Sequence, residues 1–431
     1  MEYQSPVPTA MSSPTAVPAY RRTNRALFFG GFSCFALLYC VQPLMPLLAH
    51  DFALTPAQSS LSLSMATAAL AFSLLCSSVI SDRVGRKNLM VVALVVAAAM
   101  TVLSAFARSY TELLVARTLL GLALGGMPAV AMAYLSEEIE PASLGVSMGL
   151  LISGNAFGGM LGRMLASTLS DFLSWRVALG TMGVAGLLAA WEFWRSLPAS
   201  RNFKPSSGGL AMTLHGLRRH FGDDGLPWLF GLSFLLMGCF VSAYNFIGFR
   251  LLGAPYGLRQ SVVGAISLLY LLGIFSSVWA GRRADRLGRR HVLWSVMGTM
   301  FAGLLLTLSH NLVLIVAGMA IFTFGFFASH SIASSWVGRR ARTQQALASA
   351  LYLCFYYLGS SVVGWLCGFL WEHGGWGGVV MLLGSLLAAA LLISLRLRGL
   401  APLMTDAQSA NMAKPAKSTL GNPRPSAEPL A

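Results

Sequence analysis

The sequence predicts an all-α integral membrane protein whose twelve transmembrane helices form two pseudo-symmetric six-helix halves. Composition is the first reason: 56% of the 431 residues are hydrophobic, only 10% are charged, and the mean hydropathy is +0.67. A soluble domain this apolar has too few polar groups to cover its surface. The second reason is the recurrence of apolar runs of about 20 residues, the length a helix needs to cross ~30 Å of hydrocarbon. The third is a duplication. Ser78-Val79-Ile80-Ser81-Asp82-Arg83-Val84-Gly85-Arg86-Lys87 returns as Gly281-Arg282-Arg283-Ala284-Asp285-Arg286-Leu287-Gly288-Arg289-Arg290, each copy in the gap between two apolar runs.

Residues 1–25, rich in Pro, Ser and Ala, read as a disordered cytoplasmic tail. Arg21-Arg22 has no small-residue cleavage site after it, so it flanks the first helix rather than marking an export signal. An N-terminal bundle over 26–196 holds runs 26–49, 59–81, 88–107, 112–135, 144–169 and 175–196. A polar cytoplasmic linker, 197–226, follows, in which Leu210–Phe221 is patterned as a short basic amphipathic helix. A C-terminal bundle over 227–398 holds runs 227–252, 262–281, 291–309, 312–335, 346–370 and 376–396, and 399–431 is a second disordered tail. In lipid the backbone must satisfy its own hydrogen bonds, and the alternation of a β-barrel is missing, so the runs are helices.

The halves resemble one another beyond the repeated turn. Cys34-Phe35 and Tyr39 return as Cys239-Phe240 and Tyr244, and Gln58-Ser59 as Gln260-Ser261. Gly154 and Gly159 return as Gly359 and Gly364, and Trp175 as Trp376. Parallel six-helix repeats put a solute site between the halves near the bilayer midplane. The net charge of +15 is a matter of topology, since 24 of the 30 basic residues fall on one side if residue 1 is cytoplasmic. That bias sets both termini inside and argues against nucleic acid as a partner. The six cysteines lie inside apolar runs without disulfide or metal-ligand spacing, so no metal site is expected.

On these residues the chain resembles the major facilitator superfamily over about 25–398, leaving only the tails outside. The Asp-Arg-x-Gly-Arg turns carry the likeness, complete in the second copy and with Ser78 replacing the leading glycine of the first. Tyr39-Cys40-Val41-Gln42-Pro43, Tyr134-Leu135-Ser136-Glu137-Glu138-Ile139 and Ser329-His330-Ser331-Ile332-Ala333-Ser334-Ser335-Trp336 resemble one subgroup of bacterial inner-membrane transport proteins within it. The resemblance implies secondary transport of a small solute by alternating access at the bacterial inner membrane. It also implies an ion gradient, by expectation protons, as the driving force, with efflux as the direction and no other cofactor. Uptake or facilitated diffusion of a sugar or organic anion is the alternative, and a non-transporting receptor or scaffold the rival class. A monomer in contact with lipid and a small-molecule substrate is expected.

The turn residues Asp82, Arg83, Gly85 and Arg86, with Asp285, Arg286, Gly288 and Arg289, fit a conformational latch. Glu137, Glu138 and Glu140 are candidate partners for Arg83 or Arg86. Topological anchoring is the plainer reading of the same arginines. Arg117, followed by Gly121, Gly125 and Ala129, resembles a helix-4 motif linked in the family to proton coupling; bonding to a neighbouring helix's carbonyls would explain it equally well. Gly154, Gly158, Gly159 and Gly162 partly match the family's antiporter motif, with Asn155 where that motif has proline, and also suit plain helix packing.

Embedded polar residues narrow the solute. Glu192 lies beside Arg195 near an inner helix end, where a surface pair is expected, and no carboxylate suited to balancing a cationic drug stands out. Tyr39, Gln42, Arg117, Asn155, Tyr244, Asn245, His330, Tyr352 and Tyr356 remain as binding or coupling candidates. Arginine, amide and phenol groups suit an anion or a polyhydroxylated solute. Arg163 and Arg250, in the outer thirds of their helices, are expected to snorkel. His330 is the histidine clearly inside a run, able either to carry a proton or to pack as a hydrogen-bonded residue. No phosphate-cradling loop or nucleophile–base pair is present, so no enzyme is expected and no catalytic residue is assigned.

Overall fold

The computed structural model describes residues 16–202 and 210–400, side chains at 16–19, 78, 79, 82, 141, 142 and 210–213 excepted. Among them every regular element is helical: α1 (Ala16–Tyr39), a 3₁₀ turn Gln42–Leu44, α2 (Met45–Asp51), α3 (Pro56–Val84), α4 (Arg86–Ala105), α5 (Tyr110–Leu124), α6 (Pro128–Glu138), α7 (Pro141–Phe172) and α8 (Trp175–Ser196). Then come α9 (Leu210–Phe221), α10 (Leu226–Leu252), α11 (Gln260–Gly264), a 3₁₀ turn Ala265–Leu269, α12 (Tyr270–Leu287), α13 (Arg289–Leu306), α14 (Leu312–Arg340) and α15 (Gln345–Arg398). Residues 1–15 and 401–431 of the expected tails lie outside the described residues, but 16–25 are helical and extend the first span.

Among the described residues ten helices are long and apolar enough to cross a membrane, against twelve expected runs. The difference has two causes. The 18-residue α13 opens on Arg289-Arg290-His291, which lowers its hydropathy. The 54-residue α15 covers two runs, and Gly375, at φ 54 and ψ −142, bends the chain between them. Three runs read as continuous are interrupted, the eighth by the 3₁₀ turn Ala265–Leu269 and two others at prolines. The first stops at Tyr39 and resumes at Met45, because Pro43 and Pro46 lack the N–H a continuing helix needs. The fourth breaks between Leu124 and Pro128 for the same reason.

Small residues bring the helices together, and the pattern repeats. A Cβ on Gly154 would meet the Phe28 carbonyl where α7 crosses α1, and one on Gly359 would meet the Phe234 carbonyl where α15 crosses α10. Packing therefore accounts for the glycine ridge of α7, while Gly121 and Gly125 seat α5 on α3 at Ala66 and Ser73. The repeated turns share their backbone: Gly85 (φ 90, ψ 149) and Gly288 (φ 86, ψ 136) occupy a region that disfavours side chains, and each joins one helix to the next.

These turns define a basic end of the bundle, where α3, α12 and α14 finish and α4, α10 and α15 start. Hydrogen bonds between the helices before 197 and those after 226 gather toward the opposite, far end. Ser361 Oγ donates to the Ser64 carbonyl at 2.7 Å, Ser167 Oγ to the Gln260 carbonyl at 2.7 Å, and Ser261 Oγ to Asp171 at 2.5 Å. The Ala57 amide donates to Glu372 at 3.4 Å, and Gln260 Nε2 to the Pro43 carbonyl. Together they form a closed far seam.

Candidate functional site

Arg163 stands at the middle of this seam. Contrary to the expectation that it snorkels, its side chain turns inward and is 3% exposed. Its Nε donates to Gln42 Oε1 and an NH1 proton to the Gly159 carbonyl at 2.6 Å. Its guanidinium lies over the rings of Tyr39, 4.1 Å from the centroid, and Tyr270, at 5.0 Å. Among the described residues no carboxylate lies within ion-pair distance of Arg163. Two aromatic faces partly offset the burial of a cation, but its net charge is not neutralised.

The break after Tyr39 is what places Gln42 here. From the 3₁₀ turn its amide spans the seam: Oε1 accepts from Arg163, while Nε2 donates to Asn245 Oδ1 at 2.6 Å and to the Val241 carbonyl at 3.1 Å. Beside this relay, Tyr244 bonds Thr323 at 2.8 Å, tilts against Phe240 and meets Tyr270 edge to face. Tyr352 bonds His330 Nδ1 at 3.0 Å, and the His330 ring lies 4.8 Å from that of Tyr356. Tyr39 OH is buried and has no hydrogen-bond partner among the described residues. Seven of the nine candidates, Tyr39, Gln42, Tyr244, Asn245, His330, Tyr352 and Tyr356, thus lie within linked contacts around Arg163, Tyr270 and Phe240.

Arg117 and Asn155 lie elsewhere. The Arg117 side chain is fully buried and donates to the carbonyls of Leu37 (3.0 Å), Leu38 (2.5 Å) and Ser62 (3.2 Å). Those of Leu37 and Leu38 are left over where α1 stops, so Arg117 caps a broken helix. Asn155 Oδ1 packs against Gly31 of α1, eight residues before Arg163 on α7. The spacing Asn155, Gly159, Arg163 was the available sign that Arg163 shares an inward ridge, whereas Tyr270 carried no sign of its own.

At the basic end the two turns differ. Arg86 binds Glu137 at 2.9 Å and also bonds Ser81, while Glu138 instead accepts the Arg201 and Asn202 amides at 2.6 and 2.8 Å. The Asp82 side chain lies outside the described residues; Arg83 and Arg286 are exposed. In the second turn Asp285 pairs with Arg289 at 2.8 Å and with Arg339 of α14 at 3.4 Å. Among the described residues the pair between helices is thus arginine to glutamate in one half and aspartate to arginine in the other. The surface pair expected at Glu192 forms, with a different partner. Glu192 pairs with Arg25 of α1 at 2.9 Å and accepts from Ser196 of its own helix at 2.6 Å, while Arg195 lies over Trp191. Arg250, at the far end of α10, bonds the Thr307 and Ser309 carbonyls beyond the end of α13.

Comparison with known proteins agrees with this architecture. A family model described as the Major Facilitator Superfamily matches residues 27–282 and 251–424. The inner membrane transport protein YnfM of Escherichia coli (strain K12) is 49% identical over 380 residues, covering 88% of this chain and 91% of that protein. An uncharacterized MFS-type transporter, YybF of Bacillus subtilis (strain 168), is 46% identical over 88% of this chain and 93% of its own. Two solved structures share the fold at low identity. A mutant of the nucleoside transporter NupG gives a TM-score of 0.74 at 15% identity, covering 87% of this chain and 99% of its own. An inward-facing bacterial homologue of the human lysosomal transporter Spinster gives 0.70 at 14% identity, covering 90% and 96%. The relatives are named as transporters, not enzymes. With its repeated turns, its helical fold and these matches, this multi-pass membrane protein belongs to the major facilitator superfamily of transporters.

Proposed function

We propose that the protein is a secondary active transporter that exports a small organic anion or acidic polyhydroxylated solute in exchange for protons. Arg163 carries the substrate class: a buried guanidinium between two tyrosine faces, without a carboxylate partner among the described residues, is suited to take one from a solute. The closed far seam, and the likeness to a structure described as inward-facing, support a state in which the site is approached from the basic end. Parting of the seam would then release the solute on the far side. Export and proton coupling rest on the family resemblance, and His330, beside the tyrosines, is the group available to carry the proton.

Metabolite profiling of cells and medium, with and without overexpression, tests this reading. An anionic metabolite is expected to move outward with the wild-type protein and to stay inside with Arg163→Gln. Outward movement of a cation, or equal export by Arg163→Gln, would overturn the proposed substrate class.

A further inference from the structure

The hydrogen-bond directions across the seam follow from one residue. Arginine only donates, so Gln42 must present Oε1 to Arg163 and Nε2 to the other half. Both Nε2 protons are then used, on Asn245 Oδ1 and the Val241 carbonyl. Asn245 is forced in turn to aim Nδ2 away from Gln42, and there it finds no partner among the described residues. A Cβ built on Gly364 would lie 3.3 Å from Asn245 Nδ2, 3.2 Å from Ser64 Oγ and 4.0 Å from Ser242 Oγ. All three side chains are at least nine-tenths buried, and both hydroxyls also lack a hydrogen-bond partner among the described residues, with only the weakly bonding Cys367 thiol beside Ser242. Three polar groups from α3 and α10, none with a nitrogen or oxygen partner among the described residues, therefore meet at a glycine of α15.

We infer that Gln42 is the positioning residue through which the Arg163 site holds the far seam shut, and that Ser64, Ser242 and Asn245 supply the opposing bias that lets it open. Buried polar groups without partners disfavour the closed arrangement, and each regains water once the seam parts. A solute that takes over the Arg163 N–H groups weakens the bond that orients Gln42, and so loosens its hold on α10. Site occupancy and seam opening are thereby linked through one amide. The inference builds on the alternating access proposed above, but not on the identity of the solute.

Hydrogen–deuterium exchange of the intact transporter, read over residues 40–46 and 258–268, tests it without a ligand. Gln42→Leu is expected to speed exchange there by about tenfold or more, from the loss of three hydrogen bonds, one of them charge-assisted. The double variant Ser64→Ala/Ser242→Ala is expected to slow it by roughly tenfold, because unpaired hydroxyls are removed from the closed state. A purely structural role would make both variants exchange faster. Exchange in the double variant that is faster or unchanged overturns the inference, as does unchanged exchange in Gln42→Leu. If the double variant does not fold, the same slowing is required of Ser242→Ala alone. Loss of the substrate class would appear separately, as Arg163-independent export with the exchange pattern intact.

Discussion

Replacement of Arg117 by methionine gives the sharpest check on what that buried cation does. The structure gives its guanidinium to three carbonyls, Leu37, Leu38 and Ser62, which belong to two neighbouring helices. Methionine keeps an unbranched side chain in the space and removes every donor. Ser62 lies inside α3 and keeps its helical amide. Leu38 loses its side-chain donor and Leu37 retains only the Cys40 thiol, at about 1–3 kcal/mol each, and release of a buried charge returns part of that sum. A net loss of about 3 kcal/mol follows, enough to lower the thermal midpoint by several degrees even in a chain this long. The assay is thermal unfolding of the purified protein in one detergent, beside driven transport in vesicles. Capping predicts that stability falls and that the surviving folded fraction still transports. Unchanged stability with abolished gradient-driven flux would refute capping and restore the coupling role that the helix-4 motif suggested.

Other consequences follow at separate sites. Glu137→Gln leaves Arg86 its bond to Ser81 but removes a charged partner, so the rate of transport should change by roughly tenfold with insertion intact; unchanged rates would reduce the turn to a topological anchor. His330→Gln should flatten the pH dependence of flux, and a retained profile would leave His330 as a packed residue bonded to Tyr352. At the start of α10, burial alone would raise the Asp223 carboxyl, but Arg340 and the Gly225 and Leu226 amides hold it below the usual carboxylate range. A lowered acid contributes its stability above the unfolded value and loses it as pH falls through the folded one. Asp223→Asn should therefore reduce thermal stability at neutral pH, and by less below about pH 4; an equal effect across that range would contradict the pairing.

Much of the fold is legible in the chain because hydropathy and repetition are local signals. The glycines at 85 and 288, set by a motif, have nearly the same backbone angles. Helix breaks are less visible: Pro43 and Pro128 stand in plain sight, yet proline is tolerated within membrane spans, and hydropathy passes over them. Burial was the harder quantity. Depth along a helix suggested that Arg163 could reach the surface, but the direction of its side chain is set by α1 and α12, which no short window contains. The seam is more remote still, since Ser361 and Ser64 are separated by 297 residues. Arg117 was legible as a buried cation, but only the end of α1 shows which carbonyls need it.

Solute-dependent proton movement in sealed vesicles bearing the purified protein tests the central claim most directly. The account predicts that the anion identified by profiling leaves its compartment as protons enter, and that Arg163→Gln stops both fluxes together. Proton movement indifferent to the anion, or no vectorial flux of either species, would contradict it.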